Sequence, residues 1–377
     1  MCEYVRNMKR SLLLLIAVLG AVAACSTETS DDGDSSEDAF TEGTSIKIAS
    51  FNAGLVRGGV ALVDERVPLI APAIEKTGAD VICLQEVWGD EDYEKIRASL
   101  ADKYPHAFRQ KTEEHGRRWF SCNPFKLNTL KGCVDSKCTP TGVSAEECVQ
   151  NACKDEYSAL SDRCMTCLAA NTDSPTSCIF VADEFVQGGR NGVALFSKYP
   201  ITDARFIDFG SAMVHRGAIR ATIEGKAIAC THLSSDLTTV PYPTGHYWHS
   251  WAEEQQSEIA TVVNALPSDG CRIAVGDMNS SPDNGGIRPE VPETLAGFTA
   301  KGFKDWSSQI CTWCPPPANP LASGRETKVY DHVLLNGCGA RAKYSRIMDQ
   351  PVEVVHDGQT LETRLSDHFG VMVEIAR

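Results

Sequence analysis

Six short apolar runs in this 377-residue chain stop abruptly at, or open from, a polar side chain able to bind a cation or handle a proton. Ile46 to Phe51 ends at Asn52, Val81 to Leu84 at Gln85-Glu86, and Ala227 to Cys230 at Thr231-His232. Ile273 to Val275 ends at Gly276-Asp277-Met278-Asn279, Tyr330-Asp331 opens a run through Leu335, and Ser366-Asp367-His368 opens one from Phe369 to Ile375. Singly, each has an ordinary structural use: Asn52 as a turn cap, Asp277 as an Asx-turn residue beside Gly276, His232 as a hydrogen-bonded core imidazole. As a set they are carboxylate and amide oxygens with two imidazoles, the donors that divalent-metal hydrolysis of a phosphoester needs.

Such residues must be placed by a scaffold. Short apolar runs bounded by Gly, Pro or Asp suit strands buried on both faces, and Arg190-Asn191-Gly192 to Phe196 and Ala218 to Ile223 add more sheet. Helical spacing predicts helices over Val67 to Thr77, Asp92 to Leu100 and Trp251 to Leu266. The last carries Trp251, Ile259, Val262, Val263 and Leu266 on one side and Glu253, Glu254 and Glu258 on the other. Strands alternating with helices give an α/β protein whose strands deliver polar groups to one rim. No internal repeat is visible.

With 42% hydrophobic and 23% charged residues, the composition excludes a mainly disordered, collagen-like or multi-span membrane chain. An excess of 50 acidic over 36 basic residues argues against coating nucleic acid through counterion release. In residues 1–24, Arg6, Lys9 and Arg10 precede the apolar run Leu12 to Ala24, too short to cross roughly 30 Å of hydrocarbon, so a signal peptide is predicted. Val22-Ala23-Ala24-Cys25 resembles the bacterial lipobox, which implies a lipid anchor at Cys25; ordinary secretion is the alternative. Loss of the leader removes Glu3 and those three bases, leaving 49 acids against 33 bases. Residues 25–45 hold seven acids and no base and read as an acidic tether. The folded catalytic region is expected at 46–377.

Export makes disulfides the default for the remaining fourteen cysteines. Eight fall between Cys122 and Cys178 in a stretch poor in large apolar residues, which predicts a disulfide-stapled insertion over about 121–180 without a core of its own. Its pairing is open. Cys164-x-x-Cys167 and Cys311-x-x-Cys314 each have the spacing of half a zinc site, but they are far apart and lack histidines at finger spacing. Cys83 and Cys230, inside apolar runs, suit buried thiols or a bridge equally. Lying between Phe120 and the Asn191 strand, the insertion is placed to act as a substrate-selecting lid.

The order and wording of seven segments resemble the endonuclease/exonuclease/phosphatase superfamily, which includes pancreatic-type deoxyribonucleases, abasic-site endonucleases, inositol phosphatases and bacterial sphingomyelinases. They are Ser50-Phe51-Asn52, Leu84-Gln85-Glu86, Asn191 to Lys198, Thr231-His232-Leu233, Gly276-Asp277-Met278-Asn279, Tyr330-Asp331-His332-Val333 and Ser366-Asp367-His368. The resemblance implies a four-layer α/β/β/α sandwich of two mixed sheets with the site where their strand ends meet. It further implies Glu86 as principal metal ligand, with Asn52 and Asp367 holding the cation or its waters; Mg2+ or Mn2+ suits such hard oxygens. His368 would pair with Asp331. Asp277 and Asn279, alternating along an extended segment, would hold the attacking water and a phosphoryl oxygen. The implied reaction is in-line attack by water, oriented by Asp277 and His368, while His232 hydrogen-bonds the phosphate or protonates the leaving oxygen. Which group takes the water's proton stays open.

For the substrate, Cys311-Thr312-Trp313, Asn319-Pro320-Leu321-Ala322 and Tyr330-Asp331 resemble the stretch before the corresponding Asp in bacterial sphingomyelinases. The departures are Cys314, where an Asp is expected, and the missing Gln after the His232 word. Tyr242, His246, Tyr247, Trp248, His249 and Trp251 form a stretch suited to a lipid–water interface or to a packed loop. The leading expectation is a monomeric, exported, membrane-tethered phosphodiesterase of phospholipid or sphingomyelin headgroups. A secreted nuclease is the alternative, with Arg109, Lys111, Arg117 and Arg118 as its one short basic cluster. A non-enzymatic surface binding protein is the third reading, opposed by the presence of every expected polar residue.

Overall fold

The computed structural model describes residues 45–377 apart from 58, 112–120, 140–144, 171–174, 180–190, 237–241, 244–245, 285–286, 288, 308–309, 340–341 and 377. The leader, Cys25, the acidic tether through residue 44, Arg117 and Arg118 lie outside the described residues, and Ser45, expected as the tether's last residue, opens the first strand.

Two six-stranded sheets carry the chain. In the first, the strand order is Ala342–Ile347, Gly370–Ala376, Ser45–Asn52, Val81–Gln85, Ala194–Ser197, His106–Phe108. In the second it is Thr202–Asp208, Gly217–Ile223, Lys226–His232, Arg272–Asp277, Asp331–Asn336, Lys304–Asp305. Each sheet is antiparallel but for one pair: Ser45–Asn52 with Val81–Gln85, and Lys226–His232 with Arg272–Asp277. A parallel pair needs a crossover. The helices Val63–Thr77 and Trp251–Ala265 supply the two crossovers.

The sheets pack face to face through Ile46, Ile48, Val81 and Leu195 of the first and Ile219, Ile228, Ile273, Val275 and Val333 of the second. Val67, Ile70 and Ile74 with Tyr93 and Ile96 of the helix Asp90–Leu100 cover the other face of the first sheet. Ile259, Val262 and Phe298, the last from the helix Glu293–Ala300, cover that of the second. The strands are therefore apolar on both faces, which is why they read as unbroken runs. This is the expected α/β/β/α sandwich, with a separate hairpin at Val352–His356 and Gln359–Thr363.

Seven disulfides take up every cysteine from Cys83 to Cys338. Cys83 and Cys230 are bridged, not free, and the bond joins one sheet to the other through the core. Cys311 pairs with Cys314, Cys164 with Cys122 and Cys167 with Cys178, which leaves no thiolates there for zinc. The insertion holds the helices Pro124–Cys133, Ala145–Gln150, Lys154–Ser158 and Asp162–Ala170. The expectation that it has no core needs refining. Leu127, Leu130, Leu160 and Met165 cluster among its cysteines and lean on Met213 and Trp251 of the sandwich, so the core is shared.

Candidate active site

The parallel pairs end side by side, Asn52 opposite Gln85 in one sheet and His232 opposite Asp277 in the other. Asp331 begins the antiparallel neighbour directly opposite Asp277. Over these ends opens a cleft of about 750 Å³, lined in part by Glu86, His232, Asp277, Asn279, Asp367 and His368. Asn52 and Asp331 lie fully buried beneath it and hydrogen-bond to its lining. All eight residues selected from the sequence thus meet.

Asp277 is the hub. Its Oδ2 accepts from Asn52 Nδ2 at 2.9 Å and lies 3.4 Å from His232 Nε2 and 3.9 Å from His368 Nε2. Its Oδ1 accepts the Asn279 amide at 2.8 Å. Burial pushes its pKa up to about 6. The preceding Gly276 sits at φ +153°, and a Cβ there would stand 1.9 Å from the Thr231 carbonyl, so only glycine lets this strand lie so close to the His232 strand. The extended segment expected through Asn279 is not observed. The strand stops at Asp277 and Asn279 adopts φ 44°, a left-handed conformation that Asn tolerates. Its Nδ2 still arrives 3.1 Å from His232 Nε2 and donates to the Leu233 carbonyl at 2.9 Å.

Glu86 also has positive φ, 56°, a strain that persists where surrounding structure enforces it. Its carbonyl accepts the Leu55 amide and the next amide, Val87, donates to Gly192, which explains the Asn191-Gly192 word. Burial and then the neighbouring Asp367 carboxylate push the Glu86 pKa up to about 7, and no hydrogen bond from a described residue offsets them. Gly54 gives Asp367 its room, since a Cβ at Gly54 would be 2.4 Å from Asp367 Oδ1. Fully buried Arg66 donates to the carbonyls of Ala53, Gly54 and Leu365, tying together the loops that follow Asn52 and precede Asp367.

Two adjacent, mutually repelling carboxylates fit a hard divalent cation. Asn52 fits less simply as a ligand. Its Nδ2 serves Asp277 and its Oδ1 accepts the Gly54 amide at 3.0 Å, leaving one lone pair.

His368 Nδ1 meets Asp331 Oδ2 at 2.8 Å, as expected. Burial works against the charged ring, yet Asp331 and Asp277 hold its pKa at about 10. Trp313 packs edge-on against it, ring centroids 4.9 Å apart. His232 has the opposite setting: burial, Arg216 and His368 depress its pKa well below the usual histidine value.

Arg216 has no counterpart among the residues selected from the sequence. Buried in the cleft wall, it brings Nη1 to 2.8 Å from His232 Nδ1. No sequence spacing marks it; it is brought there by the pairing of Gly217 with His232 across antiparallel strands. Nor are Glu254 and Glu258 on the outer side of their helix as expected. Both are buried, accepting from the Ser211, Ser234 and Tyr242 hydroxyls and the Ala212 and Ser234 amides, which offset the cost of burial. Arg109, counted in the basic cluster, instead braces the turn after Glu86 by donating to Asp90 and to the Val87 and Trp88 carbonyls. The Tyr242–Trp251 stretch combines both expectations: Tyr242 packs on Trp251, while Tyr247 is 88% exposed. None of the insertion's described residues lines the cleft, so the expected lid is not observed among them; the insertion packs instead on Met213, Tyr242 and Trp251.

No curated protein sequence matches the chain. Among solved structures, sphingomyelinase C from Streptomyces griseocarneus is 17% identical with a TM-score of 0.52, the match covering 88% of this chain and 99% of that one. A beta-toxin variant from Staphylococcus aureus with bound magnesium ions is 12% identical with a TM-score of 0.52, covering 89% and 100%. The structure titled SmcL is 14% identical with a TM-score of 0.53, covering 88% and 99%. At these identities the likeness is one of fold. The model of the Endonuclease/Exonuclease/phosphatase family matches residues 49–368, which takes in every residue of the cleft discussed above and every sheet strand except Gly370–Ala376 and the start of Ser45–Asn52, and the chain belongs to that family.

Proposed function

We propose that this protein is a divalent-metal phosphodiesterase acting in an oxidising compartment outside the cytoplasm, and that it hydrolyses phospholipid or sphingomyelin headgroups in phospholipase C fashion. The observation that carries the reading is the meeting of Glu86, Asp367, Asp277, Asp331, His368 and His232 around one cleft. Mg2+ or Mn2+ held by Glu86 and Asp367, with Asn52 behind, would supply Lewis-acid charge for the phosphoryl oxygens. Asp277 and Asn279 position the water for in-line attack opposite the departing oxygen, His368 is held in place by Asp331, and His232 faces the phosphate.

A lipid headgroup is favoured by the rings around the reacting position. Trp313 and Tyr330 line the cleft beside His368; away from the cleft lining, exposed Tyr247 offers an amphipathic ring of the kind found at membrane interfaces. The fold neighbour named as a sphingomyelinase C agrees with that choice. Nucleic acid is less favoured, since Arg109 is consumed internally. Seven disulfides suit an oxidising compartment. A lipid at Cys25 would hold a monomer near its substrate.

The metal-loaded protein is to be incubated with sphingomyelin, phosphatidylcholine, plasmid DNA and bis-nitrophenyl phosphate, each with a chelator control. Chelator-sensitive phosphocholine release is expected. DNA cleavage without lipid turnover would replace the reading with a nuclease, and silence on all four substrates with a surface binding protein.

A further inference from the structure

The contact between Arg216 and His232 restricts what His232 can do. A guanidinium carries donors only and stays charged. With Arg216 Nη1 at 2.8 Å, His232 Nδ1 must be the bare, accepting nitrogen of a neutral ring, and the ring proton then sits on Nε2. Nε2 is the nitrogen turned toward the chemistry, 3.4 Å from Asp277 Oδ2 and 3.1 Å from Asn279 Nδ2. The Asn279 contact does not reverse the assignment. Asn279 Nδ2 already donates to the Leu233 carbonyl at 2.9 Å, so the amide stays as it is and its 3.1 Å approach to Nε2 is a packing contact, with Nε2–H aimed at Asp277 Oδ2; no rotation makes a guanidinium an acceptor.

Arg216 is held firmly enough to impose this. It is buried, its guanidinium lies 5.8 Å over the Trp88 ring, and the carboxylates of Glu86, Asp277, Glu258 and Glu254 attract it. The pairing of Gly217 with His232 fixes the register between them.

We infer that Arg216 is a positioning residue that locks His232 as a neutral Nε2–H donor, so that His232 grips a phosphoryl oxygen by hydrogen bonding and exchanges no proton with the substrate. To protonate the departing oxygen, the ring would have to become an imidazolate beside the Asp277 carboxylate, and to act as a base it would need a lone pair on the nitrogen that already bears hydrogen. The leaving-group proton must come from elsewhere. The inference rests on the proposed function only for its activity arm, because the tautomer is a property of the folded chain.

The test is two-bond 1H–15N correlation of the full chain with 15N-histidine, the His232 pattern being identified by its loss in His232→Gln. Wild type and Arg216→Lys are expected to show protonated Nε2 and bare Nδ1 from about pH 6 to pH 8, and Arg216→Met a mixture or the reverse. In parallel, Arg216→Met is expected to lose about 10- to 100-fold in kcat, with Arg216→Lys recovering most of it. A protonated Nδ1 in wild type overturns the inference whether or not any variant folds. An unchanged tautomer in folded Arg216→Met overturns it equally. If wild type turns over no phosphodiester, the proposed function fails while the spectra still decide the tautomer.

Discussion

His368 and Asp331 lie 37 residues apart in the chain and at the openings of strands in different sheets, yet the imidazole Nδ1 and carboxylate Oδ2 meet at 2.8 Å. The pair stitches the two halves of the cleft together and fixes the ring with Nε2 toward Asp277. Asp331→Asn keeps the size of the side chain and removes its charge, so kcat is expected to fall by about two to four orders of magnitude with the circular dichroism spectrum intact. Steady-state hydrolysis of bis-nitrophenyl phosphate checks this; turnover like wild type would strip the pair of its role.

Glu86 couples metal, protons and stability. Its carboxyl holds a proton up to about pH 7, so a cation must displace that proton and affinity is expected to weaken about tenfold per pH unit below 7. An acid with a raised folded pKa destabilises the fold as pH rises from its ordinary value through 7. Metal-free Glu86→Gln is therefore expected to be more stable than wild type at pH 8, by about 1–3 kcal/mol, while losing metal affinity. Calorimetric titration with Mg2+ and urea unfolding read the two effects separately, and a variant destabilised at pH 8 would contradict the second.

The Cys311–Cys314 bridge closes a loop around Thr312 and Trp313. Thr312 Oγ1 accepts the Tyr330 and Asp331 amides, and its carbonyl accepts the Phe369 amide beside His368. Replacing both cysteines by serine is expected to loosen that support, lowering kcat about 10- to 100-fold with little change in melting temperature. Unaltered kinetics would show that the remaining hydrogen bonds suffice.

His332, though next to Asp331, points away from the chemistry. Its Nδ1 meets Asp305 at 2.9 Å, and its Nε2 faces the carbonyls of Ser280 and Val329. Burial opposes the charged ring, but Asp305 and those carbonyls raise its pKa from 6.5 to about 9. The stabilisation is complete below about pH 6.5 and is lost as pH climbs through 9, a difference of about 3 kcal/mol. Urea unfolding at pH 6 and pH 9.5 is expected to show that loss in wild type and not in His332→Gln; equal slopes would refute it.

The strand-end residues were legible because a strand buried on both faces is a continuous apolar run, and the residue that breaks it stands at the sheet's edge by geometry alone. The strand-end pattern reached only an α/β protein with one polar rim; the four-layer sandwich came from the resemblance of seven segments, in order, to the family. Arg216 was not legible, because it reaches His232 through antiparallel pairing across 16 residues and no local spacing marks it. Glu254 and Glu258 were misplaced for a related reason. Helical periodicity sorts polar from apolar faces and is blind to acids whose partners, Ser211, Ser234 and Tyr242, come from other elements. Asn279 escaped the alternation rule because its strand ends two residues early.

Cys83 lies three positions before Glu86 and Cys230 two before His232, and the bond between them crosses from sheet to sheet. Such a rivet, set just under the reacting position, forbids the jaw-like opening by which many two-layered enzymes admit and grip their ligands. Discrimination between large and small molecules then falls to the peripheral loops, and swapping those loops should alter what is accepted without disturbing the bond-breaking apparatus below.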